Sequence, residues 1–160
     1  MKYHNSTSGQ VPERGNYSHA VEVARGARLF FFAGQTGNDP SVKNEPVVEG
    51  GVGPQTTQAL ENILALIAEL GGNAGNIVNL QVILKGSNMD FASNRNREHK
   101  ESADAMNEAY VAFFKKHGFS KGHPSGRDLP SRTMSWVSEI PTAYENTLVE
   151  ITAVVAIPVE

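Results

Sequence analysis

Thr147-Leu148-Val149-Glu150-Ile151-Thr152-Ala153-Val154-Val155-Ala156-Ile157 is the most informative run in the chain. β-branched residues dominate it, so it reads as a strand, and successive side chains of a strand alternate between faces. Val149, Ile151, Ala153, Val155 and Ile157 fall on one face, while Leu148, Val154 and Ala156 fall on the other. Both faces are therefore apolar and both need cover. Two helices are available to provide it. From Pro54 to Leu70, the residues Leu60, Ile63, Leu64, Ile67 and Leu70 recur at three-and-four spacing, with Gly71-Gly72 just past the end. A second helix carries Ala103, Met106, Tyr110, Phe113 and Phe114, closes at Lys115-Lys116-His117-Gly118 and begins as early as Phe91. Two helices cover one face of a five- or six-stranded sheet. The other face calls for a second copy of the chain, and closed cyclic symmetry is the expected arrangement.

Working outward, Ile77 to Leu84 and Arg132 to Ser138 read as further strands. Ala20 to Arg25 and Arg28 to Ala33, separated by Gly26-Ala27, predict an antiparallel hairpin. Val47-Val48 fits a short edge strand, and residues 1–14 form a polar lead-in. Strands and helices in this order predict one α+β domain over residues 1–160 with a mixed sheet. There is no repeat of fixed period.

Composition narrows the function classes. Of 160 residues, 39% are apolar and 19% charged, as in one ordinary globular domain. Fourteen basic against 17 acidic side chains give −3, so there is no positive excess to bind nucleic acid non-specifically. The absence of cysteine removes disulfides, thiolate metal sites and a cysteine nucleophile. No apolar run approaches the roughly 20 residues that span a bilayer, and the polar amino end predicts a cytoplasmic protein with no membrane partner. The histidines at 4, 19, 99, 117 and 123 lack the short helical spacings of zinc ligands, so each reads as a surface residue and no metal is expected. Phosphate-binding loops, dinucleotide fingerprints and a serine-nucleophile elbow are also missing.

A few polar residues remain to carry chemistry. Glu150 interrupts its apolar strand on the side of Thr152; it is either a solvated carboxylate or one in an intersubunit cleft, placed to orient or deprotonate water. Arg132 opens a strand straight after Leu129-Pro130-Ser131, where it serves either as a surface cation or as a two-pronged anchor for a carboxylate. If the strands of Arg132 and Glu150 are neighbours, anchor and carboxylate share one site. Tyr17, just before the first strand, is a packing residue, a surface aromatic or a hydroxyl donor. Asn107 lies beside the apolar stripe of its helix, a position that is usually just exposed. Gly34-Gln35 ends a strand, where glycine suits either a turn or close approach of a ligand.

Seven segments are shared, in order, with a known family: Tyr17-Ser18-His19-Ala20-Val21, Phe32-Ala33-Gly34-Gln35, Gln58-Ala59-Leu60-Glu61-Asn62-Ile63, Met89-Asp90-Phe91, Asn107-Glu108-Ala109-Tyr110-Val111-Ala112-Phe113-Phe114, Pro130-Ser131-Arg132-Thr133 and Leu148-Val149-Glu150-Ile151-Thr152-Ala153. From about Tyr17 to Pro158 the chain resembles the RidA/YjgF imine and enamine deaminases, a family that also carries the L-PSP endoribonuclease name. The resemblance implies a chorismate-mutase-like α+β fold of the bacterial type, with two helices on one face of a mixed sheet. It implies a homotrimer with active sites between subunits and no cofactor. It places substrate-carboxylate binding on Arg132, a catalytic glutamate at Glu150, a catalytic tyrosine at Tyr17 and a substrate-binding asparagine at Asn107. Ala33 stands where many relatives have serine and Met134 where many have cysteine; with Gly34 they are expected to line the substrate pocket. Insertions at about 92–106 and 118–130 are expected to rim the cleft.

The reaction this implies is hydrolysis of a 2-imino or 2-enamino carboxylic acid, of the 2-iminobutanoate/2-iminopropanoate type, to a 2-keto acid and ammonia. Three other readings stay open: a 2-aminomuconate-type deaminase of aromatic degradation, a non-catalytic metabolite-binding trimer, and a ribonuclease or translation inhibitor. The negative balance and the lack of a basic, aromatic-lined strip count against the last.

Overall fold

A computed structural model of the protein describes residues 1–6, 15–44, 46–86, 95–119 and 129–159. The strands are β1 (Lys2–His4), β2 (Ala20–Glu22), β3 (Arg28–Phe31), β4 (Gln35–Thr36), β5 (Ile77–Lys85), β6 (Ser131–Val137) and β7 (Val149–Ile157). The helices are α1 (Val52–Glu69) and α2 (Arg95–Lys116). The main sheet runs β3-β7-β5-β6, with β4 also paired to β7. Among the described strands only the β5–β6 pair is parallel, so the sheet is mixed and the domain is α+β as expected.

The apolar stripe of α1 forms the helix and buries it. Ala59, Leu60, Ile63 and Ile67 are fully buried, and each large one contributes about 1.5–3 kcal/mol relative to exposure. Gly71 ends the helix at φ 82°; its N–H reaches the Ala68 carbonyl while that of Gly72 reaches Ile67, so the last carbonyls stay paired. Met106, Tyr110, Phe113 and Phe114 of α2 complete a single core with Val149, Ile151, Ala153 and Val155 of β7. No described helix covers the opposite sheet face. Phe31 is 78% and Leu29 50% exposed there, and Thr152 and Val154 are half-buried.

Local pairing departs from the sequence reading in two places. Ala24 to Ala27 does make a turn, Ala27 N–H to the Ala24 carbonyl, but no hairpin follows. β2 pairs instead with β1, inside the expected polar lead-in, and β3 pairs with β7, where Phe30 reaches the core. Val47 makes a single bridge to Asn38 rather than an edge strand, and its side chain is buried.

Two histidines are only partly exposed. His99 stacks on Trp136 with ring centroids 4.2 Å apart, and its Nε2 is sealed from solvent. His117 Nε2 is also sealed, 3.7 Å from Glu61. His123, much of the 118–130 insertion, the start of the 92–106 insertion and the Met89-Asp90-Phe91 segment lie outside the described residues.

Candidate active site

Arg132 is the second residue of β6 and lies in register with Leu80 of β5, which is fully buried. Strand alternation therefore sends its side chain to the helix side of the sheet. There one turn of α2 receives it. Nη2 donates to Asn107 Oδ1 at 2.7 Å, Nη1 to Met106 Sδ at 3.6 Å, and the guanidinium carbon lies 4.5 Å from the centre of the Tyr110 ring. The Tyr17 ring is 5.8 Å away. Its segment is tied to the approach of β6 by a bond from the buried Ser18 N–H to the Leu129 carbonyl. Asn107, which pattern alone leaves exposed, is half-buried with its amide oxygen committed to the arginine.

Among the described residues no carboxylate lies within ion-pair distance of Arg132. Burial pushes its guanidinium down from the usual value, with the tyrosines partly opposing the shift; an arginine so displaced is still a cation. Of the five guanidinium N–H groups, Met106 and Asn107 take one on each terminal nitrogen. The N–H on Nε and one on each terminal nitrogen have no partner among the described residues. Burial drives the Tyr110 hydroxyl far above the usual phenol range, so it stays neutral. Tyr3 of β1 is close enough to add to that effect. Periodicity assigns Tyr110 to the core, and it is buried there; its place three residues after Asn107 is the only sequence signal for its contact with Arg132. Met134, in register with Val82, shares the helix side and packs half-buried against the core.

Glu150 is elsewhere. It is in register with Ile83 and Thr36, half-buried, on the uncovered face of the sheet. Its carboxylate lies against Gly34, between β3 and β4: a Cβ built there would be 1.8 Å from Oε1 and 2.6 Å from Cδ. Glycine is needed at 34 because the glutamate side chain occupies that space. Ala33, next to it, is exposed. Gly34, Gln35 and Thr36 also border a cavity of about 350 Å³ against Asn62 and Leu66 of α1. A second cavity, of about 510 Å³, runs along α2 past Asn107, between Asn16 and Glu108.

The strands of Arg132 and Glu150 are not neighbours, because β5 lies between β6 and β7. With Leu80 and Ile83 as their register partners on β5, the two side chains also point to opposite faces. The structure brings together Arg132, Asn107 and Tyr17 as one half-site, and Gly34 and Glu150 as another. One chain cannot close them on a single small ligand. Among the described residues, no group of three or more His, Cys, Asp or Glu side chains could hold a metal ion, and no helix is long and apolar enough to cross a membrane.

The family profile described as endoribonuclease L-PSP matches residues 7–157. A RutC family protein of Pyrococcus horikoshii is 31% identical over 140 residues, 88% of this chain and 86% of the relative. The 2-iminobutanoate/2-iminopropanoate deaminase of Mus musculus is 30% identical over 136 residues, covering 85% of this chain and 79% of the relative. In fold, a Rid-family protein of unknown function from Yersinia pestis superposes with a TM-score of 0.68 at 21% identity over 98% of each chain. Profile, relatives and fold agree: the chain belongs to the RidA/YjgF family.

Proposed function

We propose that this protein is a hydrolytic deaminase that converts reactive 2-imino or 2-enamino carboxylic acids into 2-keto acids and ammonia, acting as a homotrimer with its sites at the seams between copies. The observation that carries the reading is the half-buried Arg132 guanidinium, held by one turn of α2 and without an acidic partner among the described residues. A buried cation is costly unless an anion meets it, and its unused, forked N–H groups match a carboxylate. The deaminase name of the mammalian relatives supports the reaction class.

In this scheme Arg132 clamps the carboxylate while Asn107 and Tyr17 hold the guanidinium and shape the pocket. A water oxygen bonds to the imine carbon as the C=N π pair moves to nitrogen. Starting from the protonated imine, Glu150 accepts one proton of that water and passes it to nitrogen; it then takes the remaining hydroxyl proton as the C=O forms and the C–N bond breaks with its electron pair on nitrogen, which releases ammonia, and Glu150 gives the last proton to solvent. Because Glu150 faces away from Arg132 in its own chain, the glutamate acting at each arginine is a neighbouring copy's. The apolar uncovered face with Leu29 and Phe31 supports such packing. A protonated imine is already electrophilic, so positioning supplies most of the acceleration. No cofactor is required.

The test is Arg132→Ala, assayed on imines released in situ by an amino-acid oxidase. Loss of keto-acid formation above the spontaneous rate, with unchanged particle mass in sedimentation, is expected; wild-type rates would remove the proposal. The endoribonuclease description of the family makes RNA cleavage the alternative activity to assay in parallel. The net charge of −3 offers little attraction to a phosphate backbone.

A further inference from the structure

One buried group beside Arg132 has no task in that chemistry. Tyr110 is 1% exposed, and its hydroxyl has no hydrogen-bond partner among the described residues. Sealing a hydroxyl away from water without a partner is unfavourable, and phenylalanine would fill the same space without that penalty. Thr56, His99 and His117 also carry sealed, unpartnered atoms among the described residues, but of these four only Tyr110 is stacked on Arg132. The guanidinium's charge acts on the hydroxyl, which places the two in one electrostatic environment. The group stays protonated, so it has a hydrogen to give and no negative charge to repel an anion.

We infer that the Tyr110 hydroxyl is a further hydrogen-bond donor to the carboxylate held at Arg132, so that Tyr110 binds substrate through its oxygen while its ring supports the arginine. The inference rests on the reading of Arg132 as a carboxylate clamp. It adds a neutral donor to the charged ones, and it accounts for a polar atom in an otherwise apolar stretch of α2. The ligand class that satisfies both groups is a small planar organic anion, whose carboxylate has more acceptor sites than the free guanidinium N–H groups alone would fill.

Tyr110→Phe separates the oxygen from the ring, because the stack under the guanidinium is kept. Binding of 2-oxobutanoate, the stable keto acid, is to be measured by titration calorimetry for the wild type, Tyr110→Phe and Arg132→Ala, with thermal unfolding alongside. The expected result is about tenfold weaker binding in Tyr110→Phe, equivalent to about 1.4 kcal/mol, with a melting temperature equal to or above wild type. In turnover the same variant raises KM and leaves kcat nearly unchanged, as for a contact made equally in ground and transition states. In the wild type, the ¹³Cζ resonance of Tyr110 should move on adding 2-oxobutanoate, a readout independent of how any variant folds. Wild-type affinity in Tyr110→Phe, or a ¹³Cζ resonance that ignores the ligand, overturns the inference while the Arg132 reading stands if Arg132→Ala abolishes binding. Undiminished binding in Arg132→Ala overturns both.

Discussion

Gly34→Ala isolates the second half-site with a single methyl group. The backbone at 34 is outside the left-handed region, so alanine is compatible with it, and the smaller entropy of the unfolded alanine chain favours the variant by about 0.4–1 kcal/mol. The three atoms nearest the new methyl all belong to Glu150. Its Oε1 would lie 1.8 Å from the new methyl and must retreat by at least about 1.6 Å to reach an ordinary contact of 3.4 Å. Glu150 is only half-buried, so its side chain can swing away at little cost, and net stability should stay within about 1 kcal/mol of wild type. Activity should not. Misplacement of a reacting group by 1 Å costs on the order of 10²-fold, and loss of general acid–base help about 10²–10⁴-fold. The assay is imine turnover for Gly34→Ala, Glu150→Gln and the double variant. If glycine acts by making room for the carboxylate, the double variant is no worse than Glu150→Gln alone. Wild-type turnover in Gly34→Ala, or a double-variant loss equal to the product of the single losses, refutes the reasoning.

Two other perturbations test the frame around the site. Phe31→Lys should leave the stability of the single chain within about 0.5 kcal/mol, since the ring is 78% exposed there, yet lower the particle mass in sedimentation; an unchanged mass would mean that β3 is not at a seam. The His4 hydrogen bond, aided by the charge of Lys2, lowers the Glu22 carboxyl from 4.5. A depressed acid stabilises the folded state above its unfolded value and loses that contribution as pH falls through the folded one, so amide protection of the β1–β2 pair should weaken below pH 4.5. His4→Leu should remove the part of that dependence which comes from the hydrogen bond, as followed by hydrogen exchange.

The main elements were legible because their periodicities are strong. Leu60, Ile63 and Ile67 on α1, and Val149 to Val155 on β7, bury the residues that their spacing marks. Strand partners were harder. Gly26-Ala27 carries a local turn signal, but whether β3 pairs with β2 or with β7 depends on where Phe30 finds cover, a long-range matter. β1 has no apolar pattern at all; Lys2, Tyr3 and His4 are held by register with β2 and by the His4–Glu22 contact. Family segments singled out Arg132, Asn107, Tyr17 and Glu150, and the first three do converge. That Glu150 turns its back on them follows from register, which sets Arg132 beside Leu80 and Glu150 beside Ile83 of the intervening β5, and neither spacing nor residue type encodes it. Tyr110 is legible only as packing, because a tyrosine at a core position of a helix fills the core, which it also does.

The opposed orientation of Arg132 and Glu150 has a genetic corollary. If both serve one reaction, every copy lends its arginine to one neighbour's glutamate and its glutamate to another neighbour's arginine, so a lesion in either group leaves the remainder of that polypeptide useful to its associates. Two separately inert alleles, one lacking each group, would then restore partial turnover when co-expressed, and a lone chain, however well folded, would be chemically silent.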